Sequence, residues 1–336
     1  MRIAIDAFGG DNAPDEVIKG AAEAVAEYKD RHIEVILTGD EAKIKERIAA
    51  LGVSSEGITV ENADGVIRIE DNPQDIRKAK ANCSMGRAFG LVNEGKADAF
   101  VSAGSTAAIV VGGTVVAGRI KGVKRPSLVP IMPSISGQYL LLDGGANLEC
   151  RPEMLLQFGV MGSIYMKELM GISNPRVGLL NIGAEEEKGR ELEHGAYELL
   201  KNSGLNFIGN VEARDVPLGA CDVIVTDGFT GNIYLKAVEG MGKFMKRALK
   251  ETIFGGASKI GAVFAMGGIK KISKQMDYRE VGGSPLLGSA KPVIKAHGSS
   301  DALAFKNAIR QANDFAEQDV IGKIAAALAD YKGDTN

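Results

Sequence analysis

The chain has 336 residues, 45% hydrophobic and 25% charged, with a formal net charge of −3. That length is enough to bury a large core, and the slight acidity argues against a nucleic-acid binder. Three widely spaced cysteines (Cys83, Cys150, Cys221) and three scattered histidines (His32, His194, His297) form no disulfide framework, zinc motif or other metal site, so no metal is expected.

Apolar strands alternate with helical stretches along the chain. Met1-Arg2 runs directly into a strand over 3–8, with no secretory leader ahead of it, which fits a reduced, cytoplasmic protein. A helix is expected over 14–28, with Pro14 near its first turn, then a strand over 33–38. A helix over 41–51 stops at Gly52. A strand over 58–62 precedes helical stretches at 73–80 and 84–94, and a strand over 99–103 feeds a helix opening at Ser105. The weakly charged stretch 101–119 reads as a buried core helix rather than a membrane span. Residues 128–132 and 139–142 flank Ser-Ile-Ser-Gly, the pattern of an antiparallel hairpin within an otherwise parallel sheet. Helices over 152–170 and 190–202 alternate with strands over 177–182, 207–211 and 223–225. A last strand over 292–296 leads into a helix from about 301 to 330.

This order predicts an α/β fold: a doubly wound, mostly parallel sheet with helices on both faces, forming one catalytic domain over 1–336. Residues 240–276 interrupt the alternation as an inserted amphipathic helical segment, broken at Gly255-Gly256 and Gly267-Gly268. Eight cations and one anion give it a net charge of +7, with Ile253, Phe254, Ile260, Val263, Phe264, Met266 and Ile269 between the basic clusters. A basic helix with an apolar face suits an anionic membrane surface or an acidic protein partner. Packing in a dimer interface is the competing reading. Lys259, Val263, Phe264, Lys270, Lys271 and Lys274 are the candidate contacts.

Five turns after strands share one chemistry: Asp6-Ala7-Phe8-Gly9-Gly10-Asp11, Ser102-Ala103-Gly104-Ser105-Thr106, Asn181-Ile182-Gly183-Ala184-Glu185, Asp227-Gly228-Phe229-Thr230-Gly231-Asn232 and His297-Gly298-Ser299-Ser300-Asp301. Glycine allows close backbone approach, and Ser and Thr both cap helices and donate to phosphate oxygens. In a doubly wound sheet the C-terminal strand edges face one crevice, so the turns should converge on an anion. Each is also an ordinary helix cap when taken alone. No GxGxxG fingerprint or GxxxxGK[ST] loop occurs, which points to a small oxyanion or acyl phosphate rather than a nucleotide.

The phosphate- and substrate-binding candidates are therefore Asp6, Gly9, Gly10, Gly104, Ser105, Thr106, Gly183, Gly228, Thr230, Gly231, Asn232 and Ser299. Asp143 and Asn147, in the turn Asp143-Gly144-Gly145-Ala146-Asn147, join them, with a tight Asp/Asn turn as the alternative. Lys188, after Glu185-Glu186-Glu187, is placed to hold phosphate or polarise a carbonyl, or simply to pair with its neighbours. His297 ends a strand where an acid or base is useful, and where a structural histidine also fits. Asp227 contributes a carboxylate that orients or accepts a proton. Cys150 and Cys221 read as core thiols.

With these residues in view the chain resembles the phosphate acyltransferase family of bacterial phospholipid synthesis, from the first strand to about residue 313. The resemblance rests on Ile5-Asp6-Ala7-Phe8-Gly9-Gly10-Asp11, Arg119-Ile120-Lys121-Gly122 before Arg125-Pro126, and Gly178-Leu179-Leu180-Asn181-Ile182-Gly183. It rests further on Phe207-Ile208-Gly209-Asn210-Val211-Glu212-Ala213-Arg214-Asp215, Thr226-Asp227-Gly228-Phe229-Thr230-Gly231-Asn232 and Lys295-Ala296-His297-Gly298-Ser299-Ser300. Phe8, Ser105-Thr106-Ala107 and Gly144 depart from the family's usual Met, Asn-Thr-Gly and Val.

The resemblance implies a fold like that of phosphate acetyltransferases and isocitrate-type dehydrogenases, and a homodimer. It implies transfer of a fatty acyl group from acyl carrier protein to inorganic phosphate, with no cofactor. The acyl phosphate would feed a membrane glycerol-phosphate acyltransferase, with peripheral contact to the anionic membrane. Phosphate is itself a nucleophile, so direct attack on the thioester is expected, with Asp227, Lys188 and His297 as catalytic residues. A phosphate acetyl- or butyryltransferase using acyl-coenzyme A is the alternative, behind it a nicotinamide-dependent dehydrogenase or a non-catalytic carrier-binding module.

Overall fold

The computed structural model describes residues 1–253 and 277–330. Of the broken helical segment expected over 240–276, residues 254–276, with Lys259, Val263, Phe264, Lys270, Lys271 and Lys274, lie outside the described residues.

Twelve strands among the described residues form two sheets. The larger contains β1 (Arg2–Asp6), β2 (Glu34–Gly39), β3 (Ile58–Asn62), β4 (Ala99–Ser102), β5 (Ser127–Leu128), β11 (Gly283–Leu287) and β12 (Val293–Ala296), in the order β3-β2-β1-β4-β12-β11-β5. β3, β2, β1, β4 and β12 run parallel, whereas β11 is antiparallel to both neighbours. The smaller contains β6 (Ile131–Ser134), β7 (Gly137–Leu142), β8 (Val177–Asn181), β9 (Phe207–Glu212) and β10 (Val223–Val225), in the order β6-β7-β10-β8-β9. Here the expected hairpin is β6–β7, and the other strands are parallel. Leu128, read as the start of that hairpin, instead closes the edge of the larger sheet together with Ser127.

Helices cover both faces of each sheet, because the central strands are apolar on both sides. On the larger sheet α1 (Asp15–Glu27) and α8 (Ala302–Glu317) bury Val17, Ile18, Phe305 and Ile309 against Ile3, Ile5, Val35 and Ile294. The opposite face takes α3 (Ser84–Asn93) and α4 (Thr106–Val111), where Phe89 stacks on Phe100 with ring centroids 3.8 Å apart. On the smaller sheet α5 (Pro152–Met170), α6 (Glu191–Lys201) and α9 (Val320–Asp330) pack Phe158, Met161, Leu200 and Ile324 over Leu140, Leu142, Val223 and Val225. Its other face receives Tyr234 and Leu235 of α7 (Gly228–Ile253), packed on Tyr139, Leu141 and Ile224. α2 (Glu41–Leu51) is capped by Asp40 and ends at Gly52 in the left-handed conformation, and a single helical turn, Tyr278–Val281, precedes β11.

Two expected helices differ in form. The stretch opening at Ser105 runs as α4 only to Val111, then widens into a π-turn over Gly112–Val116. The long C-terminal helix breaks at Asp319, whose φ of 46° divides α8 from α9. No helix among the described residues is long and apolar enough to cross a membrane.

Candidate active site

The C-terminal edges of the parallel strands gather the candidate residues into two neighbouring groups. On the larger sheet, β1, β4 and β12 end side by side. Asp6 is fully buried and accepts hydrogen bonds from Ser102 Oγ (2.8 Å) and the Phe8 N–H (3.2 Å). Burial pushes its carboxyl up, and these hydrogen bonds oppose that shift. Ser102 Oγ in turn accepts the Gly104 N–H at 2.9 Å, tying the first and second turns together. Gly9 is required by this closeness: a Cβ there would lie 2.5 Å from Asp6 Oδ2 and 2.8 Å from the Gly104 nitrogen. Gly10, at φ 103°, turns the chain so that the Asp11 N–H donates to the Gly298 carbonyl at 2.8 Å. Ser105 caps α4 through Ala108, leaving the exposed Thr106 as the first helical residue.

His297 and Ser299 complete this group. Ser299 donates its backbone N–H to His297 Nδ1 at 3.2 Å, with Ser299 Oγ 2.9 Å from the same nitrogen. A backbone N–H is only a donor, so Nδ1 carries the lone pair and the neutral ring holds its proton on Nε2. Burial lowers the His297 pKa, and Lys295, Lys236 and Lys243 lower it further against the attraction of Glu239. The shift favours the uncharged ring, which with the Ser299 N–H on Nδ1 presents Nε2–H as its donor. Lys236, Glu239 and Lys243 belong to α7, which therefore runs past the His297 turn.

The second group lies where β7, β10 and β8 end. Asp143 is fully buried and accepts N–H groups from Leu128, Ala146 and Asn147, together with Asn147 Nδ2. Burial raises its carboxyl and those bonds oppose the rise. Asp143 and Asn147 thus hold their own turn and pin it to β5, the role of a structural Asp/Asn turn. That turn meets the next one directly. Asn147 accepts the Gly228 N–H at 2.8 Å, and Asn232 Nδ2 donates to the Gly144 carbonyl at 3.1 Å. Gly231 packs on the Asp143 carbonyl, with no room for a Cβ.

Asp227 sits at the head of α7, 4% exposed. Oδ1 accepts the Thr230 N–H at 2.7 Å, and Oδ2 accepts Thr230 Oγ1 (3.0 Å) and Arg190 Nη2 (2.8 Å). The carboxylate is at once a helix cap and half of an ion pair. Arg190 also binds Glu193; burial acts against the Glu193 carboxylate, yet the Arg190 bonds hold it below the usual range. Gly183 and the exposed Lys188 lie on the neighbouring loop, where Asn181 Nδ2 donates to the Lys188 carbonyl at 2.9 Å. Lys188 is therefore held through its backbone, and its side-chain carbons pass the flank of Gly183.

Geometry adds Arg190 and Lys295 to the candidates. A capping Glu193 three residues on, and a lone charge within an apolar strand, are the signals each leaves in the sequence. Cys150 and Cys221 are pushed up to about 12 by burial and stay protonated, and Cys83 caps α3.

A family model described as "Fatty acid synthesis protein" matches residues 1–323. A phosphate acyltransferase of Caldanaerobacter subterraneus subsp. tengcongensis is 48% identical over 325 residues, 96% of each chain. Another, of Clostridium acetobutylicum, is 47% identical over 329 residues, 98% of this chain and 99% of the relative. The chain belongs to the phosphate acyltransferase family. As a phosphate acyltransferase it is an enzyme, and phosphate and an acyl donor are its substrate classes. The fold has a solved counterpart in a phosphotransacetylase from Streptococcus pyogenes, with TM-score 0.65 at 20% identity over 94% of both chains.

Proposed function

We propose that the enzyme transfers a fatty acyl group from acyl carrier protein to inorganic phosphate, and that the acyl phosphate supplies phospholipid synthesis. The observation that carries the choice of a fatty donor is apolar exposure around the Arg190–Asp227 pair. Leu148, Ile182, Phe229 and Ile233 are 66%, 84%, 58% and 56% exposed. They follow the ends of three adjacent strands, β7, β8 and β10, Leu148 and Ile182 in loops and Phe229 and Ile233 at the start of α7. Apolar side chains left in water beside a site favour a long acyl chain over an acetyl group.

The chemistry requires no enzyme nucleophile. An oxygen of hydrogen phosphate forms the new C–O bond at the thioester carbonyl, the C–S bond breaks, and the phosphate's proton ends on the departing thiolate. The site then has to gather anions, align them and stabilise the tetrahedral oxyanion. In this reading the Ser105-Thr106 and Thr230-Gly231-Asn232 turns cradle phosphate, with Lys188 and Arg190 adding positive charge. Asp227 orients Arg190 and the Thr230 hydroxyl, and His297 Nε2–H faces the oxyanion.

The test is acyl-phosphate formation from palmitoyl carrier protein and phosphate, run beside palmitoyl-coenzyme A at equal concentration. The carrier thioester should be the better donor. Equal or higher kcat/KM with coenzyme A would favour an acetyl- or butyryl-type phosphate acyltransferase.

Partner contacts follow from α7, which leads from Asp227 into the basic segment. Met241, Phe244 and Met245 are exposed beside Lys243, Lys246 and Arg247. This surface supports a homodimer contact, peripheral binding to anionic membrane beside the glycerol-phosphate acyltransferase, and docking of the acidic carrier. Charge reversal of Lys270, Lys271 and Lys274 together should weaken binding to vesicles containing anionic lipid, most strongly at low salt. Sedimentation with vesicles measures it, and unchanged binding leaves the dimer contact as the reading.

A further inference from the structure

Lys295 is the third residue of β12, between Ile294 and Ala296, both fully buried, and opposite Ser102 of β4. Its side chain is half-buried. Nζ donates to the Ala103 carbonyl at 3.4 Å and to the Ala296 carbonyl, which places the ammonium at the C-terminal edge of the sheet. It lies there between the Ser102–Ser105 and His297–Ser300 turns. An ammonium has three donors, and two neutral carbonyls leave one for a ligand.

The charged groups that face it come from each element around it. Asp11, in the turn after β1, attracts it; Lys236 of α7 repels it, and His297 feels its charge. Among the described residues no carboxylate lies within ion-pair distance of Nζ. A half-buried cation without a counter-anion is partly desolvated at a cost, and a bound anion offsets that cost. Burial, the leading cause, lowers the Lys295 amine to about 8.

We propose that Lys295 is a cation that holds the phosphate nucleophile, at the C-terminal edge of the larger sheet between the Ser102–Ser105 and His297–Ser300 turns. This rests on the phosphate-transfer reading above. It adds a cation of the larger sheet to the Ser105-Thr106 side of the phosphate cradle and leaves the exposed apolar side chains of the smaller sheet to the acyl chain.

The experiment measures kcat and the KM values for phosphate and palmitoyl carrier protein, in full-length wild type, Lys295→Met and Lys295→Arg, on either side of pH 8. Removing a hydrogen bond to a charged group should raise the phosphate KM of Lys295→Met roughly 10- to 100-fold, with the carrier-protein KM unchanged. The wild-type phosphate KM should climb above pH 8 as the amine loses its proton, while phosphate itself stays dianionic. Lys295→Arg, which keeps its charge, should abolish that climb. An unchanged phosphate KM in Lys295→Met overturns the assignment, as does an identical alkaline climb in wild type and Lys295→Arg. The second comparison stands even if the Met variant fails to fold. Wild type that makes no acyl phosphate at all overturns the reaction on which the assignment rests.

Discussion

Asp227→Asn is expected to lower acyl-phosphate turnover roughly 10²–10³-fold, the usual cost of losing a charge-stabilising contact at a reacting centre. An Asn side-chain oxygen can still accept the Thr230 N–H, so the cap on α7 survives. What goes is the second oxygen, which receives both Arg190 Nη2 and Thr230 Oγ1. An amide turned toward Arg190 presents donor to donor, and the guanidinium, whose side chain is 65% exposed, swings away. The folded state should lose little, because that arginine keeps its bonds to Glu193 and is open to water. Steady-state kinetics beside a thermal melt therefore separates the two roles of Asp227. Near-normal turnover would move the reacting centre away from the head of α7. A large fall in melting temperature with proportionate loss of activity would reduce Asp227 to a cap.

The strands and helices were legible where one local rule was unopposed. The helix at 152–170 carried Pro152 at its start and Gly171 in the left-handed conformation beyond its end, and it forms with those limits. The strand at 223–225 is a β-branched run buried on both faces. β11 left no such mark, since Gly283-Ser284-Pro285-Leu286-Leu287 contains two residues that weaken strands. It forms because β12 and β5 flank it, and the partnerless Pro285 nitrogen costs it no more than one ladder bond. The break at Asp319 was equally hidden, as no glycine or proline marks it. Division of one β-then-α series into two sheets depends on where the chain crosses over, around β5–β6 and again before β11. Local periodicity carries no record of that.

The turns of the site were visible for a different reason. Glycine, serine and aspartate clusters after strands stand out from apolar surroundings, and their convergence follows from parallel strand direction. Arg190 and Lys295 were not singled out because a basic residue before a helix, or one in a short strand, resembles solvated charge. Only the partners give them meaning: Asp227 arrives from β10, and the Ala103 carbonyl from β4. Asp143 illustrates the converse. The sequence left it open between a ligand carboxylate and a tight Asp/Asn turn, and its oxygens are engaged by the turn that it builds.

Gly231→Ala should be the most damaging single-methyl change in the chain's candidate site. Gly231 lies in the first turn of α7, where helical backbone suits alanine better than glycine, so propensity alone predicts a gain of about 1 kcal/mol. Packing decides otherwise. The new Cβ would fall far inside van der Waals contact with the Asp143 carbonyl oxygen, with Thr226 Cγ2 only 3.0 Å away on another side. That oxygen is backbone, in a turn fixed by the buried Asp143 carboxylate and by the Gly144 N–H donated to Leu128. Neither wall can rotate aside as a flexible side chain would, so the two turns must separate. Parting them strains the Gly228–Asn147 and Asn232–Gly144 hydrogen bonds together. Overpacking of this kind costs roughly 1–3 kcal/mol and more where backbone must move, which exceeds the propensity gain. The expected result is a lower melting temperature together with a loss of turnover larger than the stability change explains. A variant as stable and active as wild type would show that the Asp143 and Asp227 turns are not held in register by this contact.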